Sequence, residues 1–241
     1  MKKLLGLLAG AALAGQVAAA DDSTLTIAYN VSLPSWDATV GVSAVNPTIQ
    51  SIYKSVFDQY IDQNPDLSFR PGLLTYWGWN EDFTKVYMEV REGAKWHNGA
   101  DVTPEDVVWS LERAGKEETG NPIQFLWSTL GNFTVDGNRI EADVLRFDPT
   151  VFKWMAFLTA YVLPKDYYEE VGAEGFEAKP IGTGPYMVDN FERNEFVRLK
   201  ANENYWGGAP EFKTVTIKFV TDASSRTFEV SSGNSHVTLE M

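Results

Sequence analysis

Two histidines, His97 and His236, stand in the 241-residue chain, and neither has a second histidine at metal-ligand spacing. Metal centres and general-base sites need several converging groups, so His97 reads as a turn or packing residue. A serine triad would need one of these histidines, and no Gly-x-Ser-x-Gly elbow occurs. Gly182-Thr183-Gly184-Pro185 looks superficially like a phosphate-binding loop. It lacks the Gly-Lys-Ser/Thr ending, and the residues after it alternate as a strand, so no helix end is offered to phosphate. Its two glycines read instead as the requirement of a tight backbone path.

The acidic pairs Glu81-Asp82 and Glu105-Asp106 offer a formal glycosidase couple. Adjacent acids rarely converge on one substrate, and Glu105-Asp106 is already explained by its place at a helix start. Eight tryptophans suit a stacking surface in number, but most lie in patterned segments and are expected in the core. The chain has no cysteine. Disulfides, cysteine-ligated metals and a lipid anchor on an amino-terminal cysteine are thereby excluded. No cofactor is expected.

The elements that must position these residues follow from periodicity. Leu25, Ile27 and Tyr29 alternate with Thr26 and Ala28, a strand. Asn46-Pro47 is a cap followed by proline at the first helical position, and Ile49, Ile52, Tyr53, Val56, Phe57 and Tyr60 continue one apolar stripe. A helix from there to about Ile61 is predicted. Val86, Met88 and Val90 alternate in a strand stopped by Gly93, and Thr103-Pro104-Glu105-Asp106 opens a helix to about Arg113. Asp136-Gly137 joins two alternating runs as a hairpin. Strands over 186–191, 196–201 and 215–219 dominate the final third. The fold class is α/β, in a mixed α+β arrangement.

The first twenty residues differ from the rest. Met1-Lys2-Lys3, an apolar run from Leu4 to about Gly15, and Ala18-Ala19-Ala20 follow the order of a secretory signal, with cleavage after Ala20. The run is shorter than the roughly 20 residues that a membrane-crossing helix needs. Its removal takes the formal net charge from −13 to about −15, and an acidic surface repels nucleic acid. An exported, untethered chain stays useful in a closed compartment, which points to the periplasm.

The mature chain resembles the family 5 solute-binding proteins, the dipeptide, oligopeptide and nickel receptors of ABC importers. The matching segments run in order: Pro34-Ser35-Trp36-Asp37, Val56-Phe57-Asp58, Pro71-Gly72-Leu73 with Trp77, and Arg91 to Gly99. Val102 to Ser110, Gly182 to Tyr186 and Asn202 to Gly208 complete the series. Ala38 departs from the family's proline, and Gly233-Asn234-Ser235-His236-Val237 departs from its usual Gly-Glu-x-Asp-Ile/Val.

The resemblance implies a periplasmic-binding-protein-like first lobe, assigned to 21–53 and 166–241, with a subsidiary domain over 54–165. Family members are about twice as long, so a second lobe is expected to be missing. The implied function is a monomeric periplasmic receptor, not an enzyme, that binds small peptides or similar solutes and delivers them to an inner-membrane ABC permease. Nickel complexes, opines and sugars stay open as ligands. The rival readings are a periplasmic glycoside hydrolase and a ligand-sensing or chaperone module.

Ligands of sheet-containing folds collect where loops leave strand ends, and the long loop from Asn30 to Asn46 carries little helix or strand pattern. Asn30, Gly41, Val42 and Ser43 are its candidate ligand contacts, Gly41 because it permits close approach of a ligand backbone. Relatives that bind peptides pair this loop with the extended ligand, which carries over to the same place. Replacing Gly41 by valine is expected to weaken binding while leaving stability nearly unchanged. Export is expected to leave Asp21 as the first residue, which intact-mass measurement of the exported protein checks; a retained Lys2-Lys3 would refute it.

Overall fold

A computed structural model describes residues 23–239, so the predicted signal segment lies outside the described residues. The chain is mixed α/β. β1 (Thr24–Tyr29) lies between β10 (Thr214–Phe219) and β11 (Val237–Thr238) in a five-stranded sheet and is parallel to both. The sheet continues antiparallel through β9 (Phe196–Ala201) to β8 (Tyr186–Glu192), giving the order β11-β1-β10-β9-β8. Between β1 and β8 the chain builds a second, antiparallel sheet in the order β4-β5-β7-β6. Its strands are β4 (Leu74–Trp79), β5 (Lys85–Val90), β6 (Leu130–Asp136) and β7 (Arg139–Val144). A short hairpin pairs β2 (Ile61–Gln63) with β3 (Phe69–Pro71).

Each sheet has its own hydrophobic core. Val197, Leu199, Val215 and Ile217 pack with Trp36, Ile52 and Tyr53 under the five-stranded sheet. Val86, Met88, Ile140 and Ala142 pack with Val107, Leu111 and Trp127 under the other. Alternation put these residues on one face of their strands, as period two requires.

α1 (Pro47–Val56) starts where the sequence requires, with the Asn46 side chain accepting from the Thr48 and Ile49 amides. It ends a turn and a half before Ile61, with Phe57 extended. Competition for backbone groups explains the early stop. The Val56 carbonyl accepts from Gly184 N–H at 2.9 Å, while Tyr60 N–H and Ile61 N–H donate to Ala160 and Met155. Phe57, Tyr60 and Ile61 remain fully buried, so the apolar stripe survives although the helix does not.

α2 (Pro104–Ala114) carries the predicted capping box, in which Thr103 Oγ1 accepts from Asp106 N–H and Asp106 Oδ2 accepts from Thr103 N–H. Asp106 also accepts from the Lys165 amide at 2.8 Å, so this carboxylate anchors the start of α5 (Lys165–Ala178) as well. Two short helices, α3 (Gln124–Trp127) and α4 (Val151–Trp154), and α6 (Ala223–Ser231) complete the fold.

Gly182-Thr183-Gly184 threads against the end of α1. A Cβ on Gly182 would lie 1.9 Å from the Val56 carbonyl oxygen, and one on Gly184 2.8 Å from it. Both obstacles are backbone, which cannot swing aside. Gly182→Ala is therefore expected to cost about 3 kcal/mol or more by overpacking, read as a fall in the urea midpoint. An unchanged midpoint would refute the crossing as drawn.

Candidate functional site

The loop between β1 and α1 is the candidate ligand surface, and it is held firmly from below. Asp37 is the only charged residue between Asn30 and Asn46. Its Oδ2 accepts from Arg113 at 2.7 Å and from the Tyr168 hydroxyl at 2.8 Å, and its Oδ1 accepts from the Thr39 hydroxyl at 2.6 Å. Arg113 also stacks over the Tyr168 ring at 4.5 Å. Burial and the adjacent Asp37 carboxylate raise the Tyr168 phenol above its usual range, so it stays a neutral donor. Glu177 adds a second anchor, accepting from the Trp36 amide at 2.9 Å and from the Ser35 hydroxyl.

The candidate contacts occupy two places. Asn30, half-buried, directly follows β1. Gly41, Val42 and Ser43 are consecutive at the start of a 3₁₀ turn, Val42–Val45. Gly41 N–H donates to Thr119 O at 2.9 Å, and Ser43 Oγ donates to Val40 O. Ser43 is buried, whereas Val42 is 73% exposed. An exposed valine beside a glycine, on a loop with no free charge, is a surface suited to an uncharged stretch of ligand.

The expected harmlessness of a side chain at Gly41 does not survive. The space around it is open, but its backbone stands at φ 60, ψ −167, a region that only glycine adopts freely. Valine there would strain the loop itself. Val42 is the cleaner probe.

Sequence reasoning also missed the support of this turn. Thr159, buried at φ 57, donates its hydroxyl to Ala44 O, and Gln50 Nε2 donates to Ser43 O and Ala44 O. A threonine at positive φ has no sequence signature, so nothing in the pattern pointed to it.

One acid of each acidic pair has a structural role. Glu81 and Asp82 lie exposed in a turn, where Asp82 accepts from Thr84, and Asp106 is the buried cap of α2. Trp36, Trp96 and Trp127 are core residues. Among the described residues no group of three or more metal-ligating side chains converges, and no helix is long and apolar enough to cross a membrane.

Residues 68–241 match the family described as bacterial extracellular solute-binding proteins, family 5 Middle. The chain belongs to this family. Similar relatives include the dipeptide-binding protein of Escherichia coli (strain K12), 27% identical over 180 residues, which cover 65% of this chain and 33% of that protein. The nickel-binding periplasmic protein of the same organism is 24% identical over 240 residues, covering 97% of this chain and 44% of the relative. Among solved structures, NikZ from Campylobacter jejuni in complex with Ni(L-His) superposes with a TM-score of 0.79 at 21% identity, over 88% of this chain and 42% of that one. The oligopeptide-binding protein AppA from Bacillus subtilis in complex with a nonapeptide gives 0.77 at 18%, over 88% and 42%. The chain spans less than half the length of these relatives.

Family 5 segments that are far apart in sequence meet at one place in this chain. Asp58, buried after α1, accepts from the Tyr205 hydroxyl and from Trp206 Nε1, each at 2.8 Å, while its own amide donates to Thr183 Oγ1. Burial pushes the Asp58 carboxyl up. Arg91 lies over the Trp206 ring at 3.8 Å and donates to Gly72 O. His97 closes the group as the sequence reading expected, in a packing role. Its backbone N–H donates to Gly182 O, its Nδ1 accepts from Gly182 N–H, and its Nε2 is 3.0 Å from Gly184 O. With Nδ1 accepting, the ring proton sits on Nε2 and donates to Gly184.

This arrangement requires a neutral ring. Burial, helped by the Lys200 ammonium and opposed by the Gly184 hydrogen bond, lowers His97 to about 4 from 6.5. The folded value lies below the unfolded one, so the contribution is complete above pH 6.5 and is lost as pH falls toward 4, because only the unfolded chain takes up the proton there. It amounts to at most about 3 kcal/mol. His97→Gln is expected to flatten the fall of the urea midpoint between pH 6.5 and 4 relative to the parent; parallel curves would refute the assignment.

Proposed function

We propose that this chain is the amino-terminal part of a periplasmic receptor that binds small peptides or related solutes for an ABC importer. The carrying observation is the Asn30–Asn46 loop, whose one charged side chain is consumed by Arg113 and Tyr168, leaving an uncharged, backbone-rich surface. Such a surface recognises a ligand backbone while tolerating its side chains. Family membership and the names of the relatives support the same class, and those relatives are binding proteins rather than enzymes.

In this reading 21–53 and 166–241 build an incomplete first lobe and 54–165 its subsidiary domain; the two cores follow that division in outline, with Val56, Phe57, Tyr161 and Leu163 packing in the first-lobe core and Ile181 in the other. Ligand lies between this lobe and a second one, and closure of the lobes excludes water and presents the closed form to the permease. The receptor is exported by its amino-terminal signal, cut after Ala20, acts as a monomer and carries no lipid anchor. Asn30, Gly41, Val42 and Ser43 are its ligand contacts from this half.

In a protein carrying both lobes, Val42→Asp is expected to weaken peptide binding at least tenfold, about 1.4 kcal/mol, with the thermal midpoint unchanged because Val42 is exposed. Calorimetry with a short peptide decides it. Unaltered affinity would remove the loop from the binding surface.

A further inference from the structure

The β2–β3 hairpin contains a residue that its own geometry disfavours. Leu67 N–H donates to Asn64 O, and Asn64 N–H donates to Ser68 O, so Asn64-Pro65-Asp66-Leu67-Ser68 is a tight turn followed by one left-handed residue. That last position ordinarily belongs to glycine. Here it is leucine, at φ 68, and the side chain is 72% exposed. Leu67 therefore bears backbone strain without recovering it by packing in the core.

What Leu67 does is line a cavity of about 510 Å³. Phe69, Trp154 and Phe157 line it too, and Phe69 and Phe157 are 37% and 48% exposed. Trp154 is oriented by its Nε1 donating to Thr150 Oγ1 at 3.1 Å. One charged residue, Lys153, lines the groove, and among the described residues it has no ion-pair partner. The neighbouring carboxylates are turned elsewhere: Asp66 accepts from Ser68 and Asp148 from Thr150. Lys153 is exposed and gives the rim of the aromatic groove a cation.

We propose that this groove is a second binding site, for a small ligand that joins a bulky apolar group to a carboxylate. The apolar group fills the space between Leu67, Phe69, Trp154 and Phe157, and the carboxylate meets Lys153. The volume is that of a small-molecule site rather than of a docked protein. The site does not rest on the loop reading, since it shares no residue with Asn30 to Asn46.

The test titrates the chain with N-acetyl-L-phenylalanine, with its neutral amide and with Gly-Gly-Phe, by calorimetry and ligand-observed NMR. Saturable binding of the acid, weaker for the amide by at least about fivefold, is expected. Lys153→Gln should abolish that preference, and Trp154→Ala should weaken the acid by at least about tenfold. Leu67→Gly should weaken it while raising the urea midpoint, a combination that a purely structural leucine would not give. Equal affinity for acid and peptide identifies the ligand as a peptide carboxyl terminus, whereas loss of binding for the peptide identifies a free acid. No saturable binding of the acid at about 10 mM, equal binding of acid and amide, or unchanged binding by Leu67→Gly would each overturn the proposal.

Discussion

The close approach of Gly182-Thr183-Gly184 to the carboxyl end of α1 is the constraint on which the rest of the structure depends. It forces glycine at two positions and ends α1 early by occupying the Val56 carbonyl. It also places Thr183 where it can receive the Asp58 amide. The remaining partners then follow from polar accounting. Asp58, buried by the crossing, needs donors and obtains them from Tyr205 and Trp206, and Trp206 in turn supports Arg91. His97 satisfies the loop from the other side, and Asn202 Nδ2 adds a donor to Gly184 O. Sequence segments that read separately as motifs are thus parts of one junction between the two cores.

Much of this fold was legible from residue pattern alone. The capped starts of α1 and α2 depend on local hydrogen bonds, and local bonds leave local signatures at Asn46-Pro47 and Thr103-Pro104. Strands β5, β7, β9 and β10 alternate because one face of each is buried. The stop of α1 was not legible, because what ends it is a glycine amide 128 residues away in sequence. The pairing of β2 with β3 was equally hidden, since three-residue strands are too short to show a period.

The candidate loop was half legible. Its length, its glycine and its lack of pattern marked it, and the structure gives those residues a firm base in Asp37, Arg113 and Tyr168. Neither Arg113 nor Tyr168 carries a sign of that role, because each also fits an ordinary amphipathic helix. The conformation of Gly41 could not be read either: glycine admits many backbone shapes, and only the structure shows that this one excludes other residues.

The order of the sheet also governs the time course of folding. β1 pairs in parallel with β10, which is made about 190 residues later, and Asp58 waits for Thr183, Tyr205 and Trp206, 125 to 148 positions downstream. The four-stranded sheet needs only nearer partners, since β4, β5, β6 and β7 all lie between residues 74 and 144. Loop closure over long separations is slow, so that sheet can assemble first while β1 stays unpaired. The earliest strand among the described residues is in this way among the last to find its place.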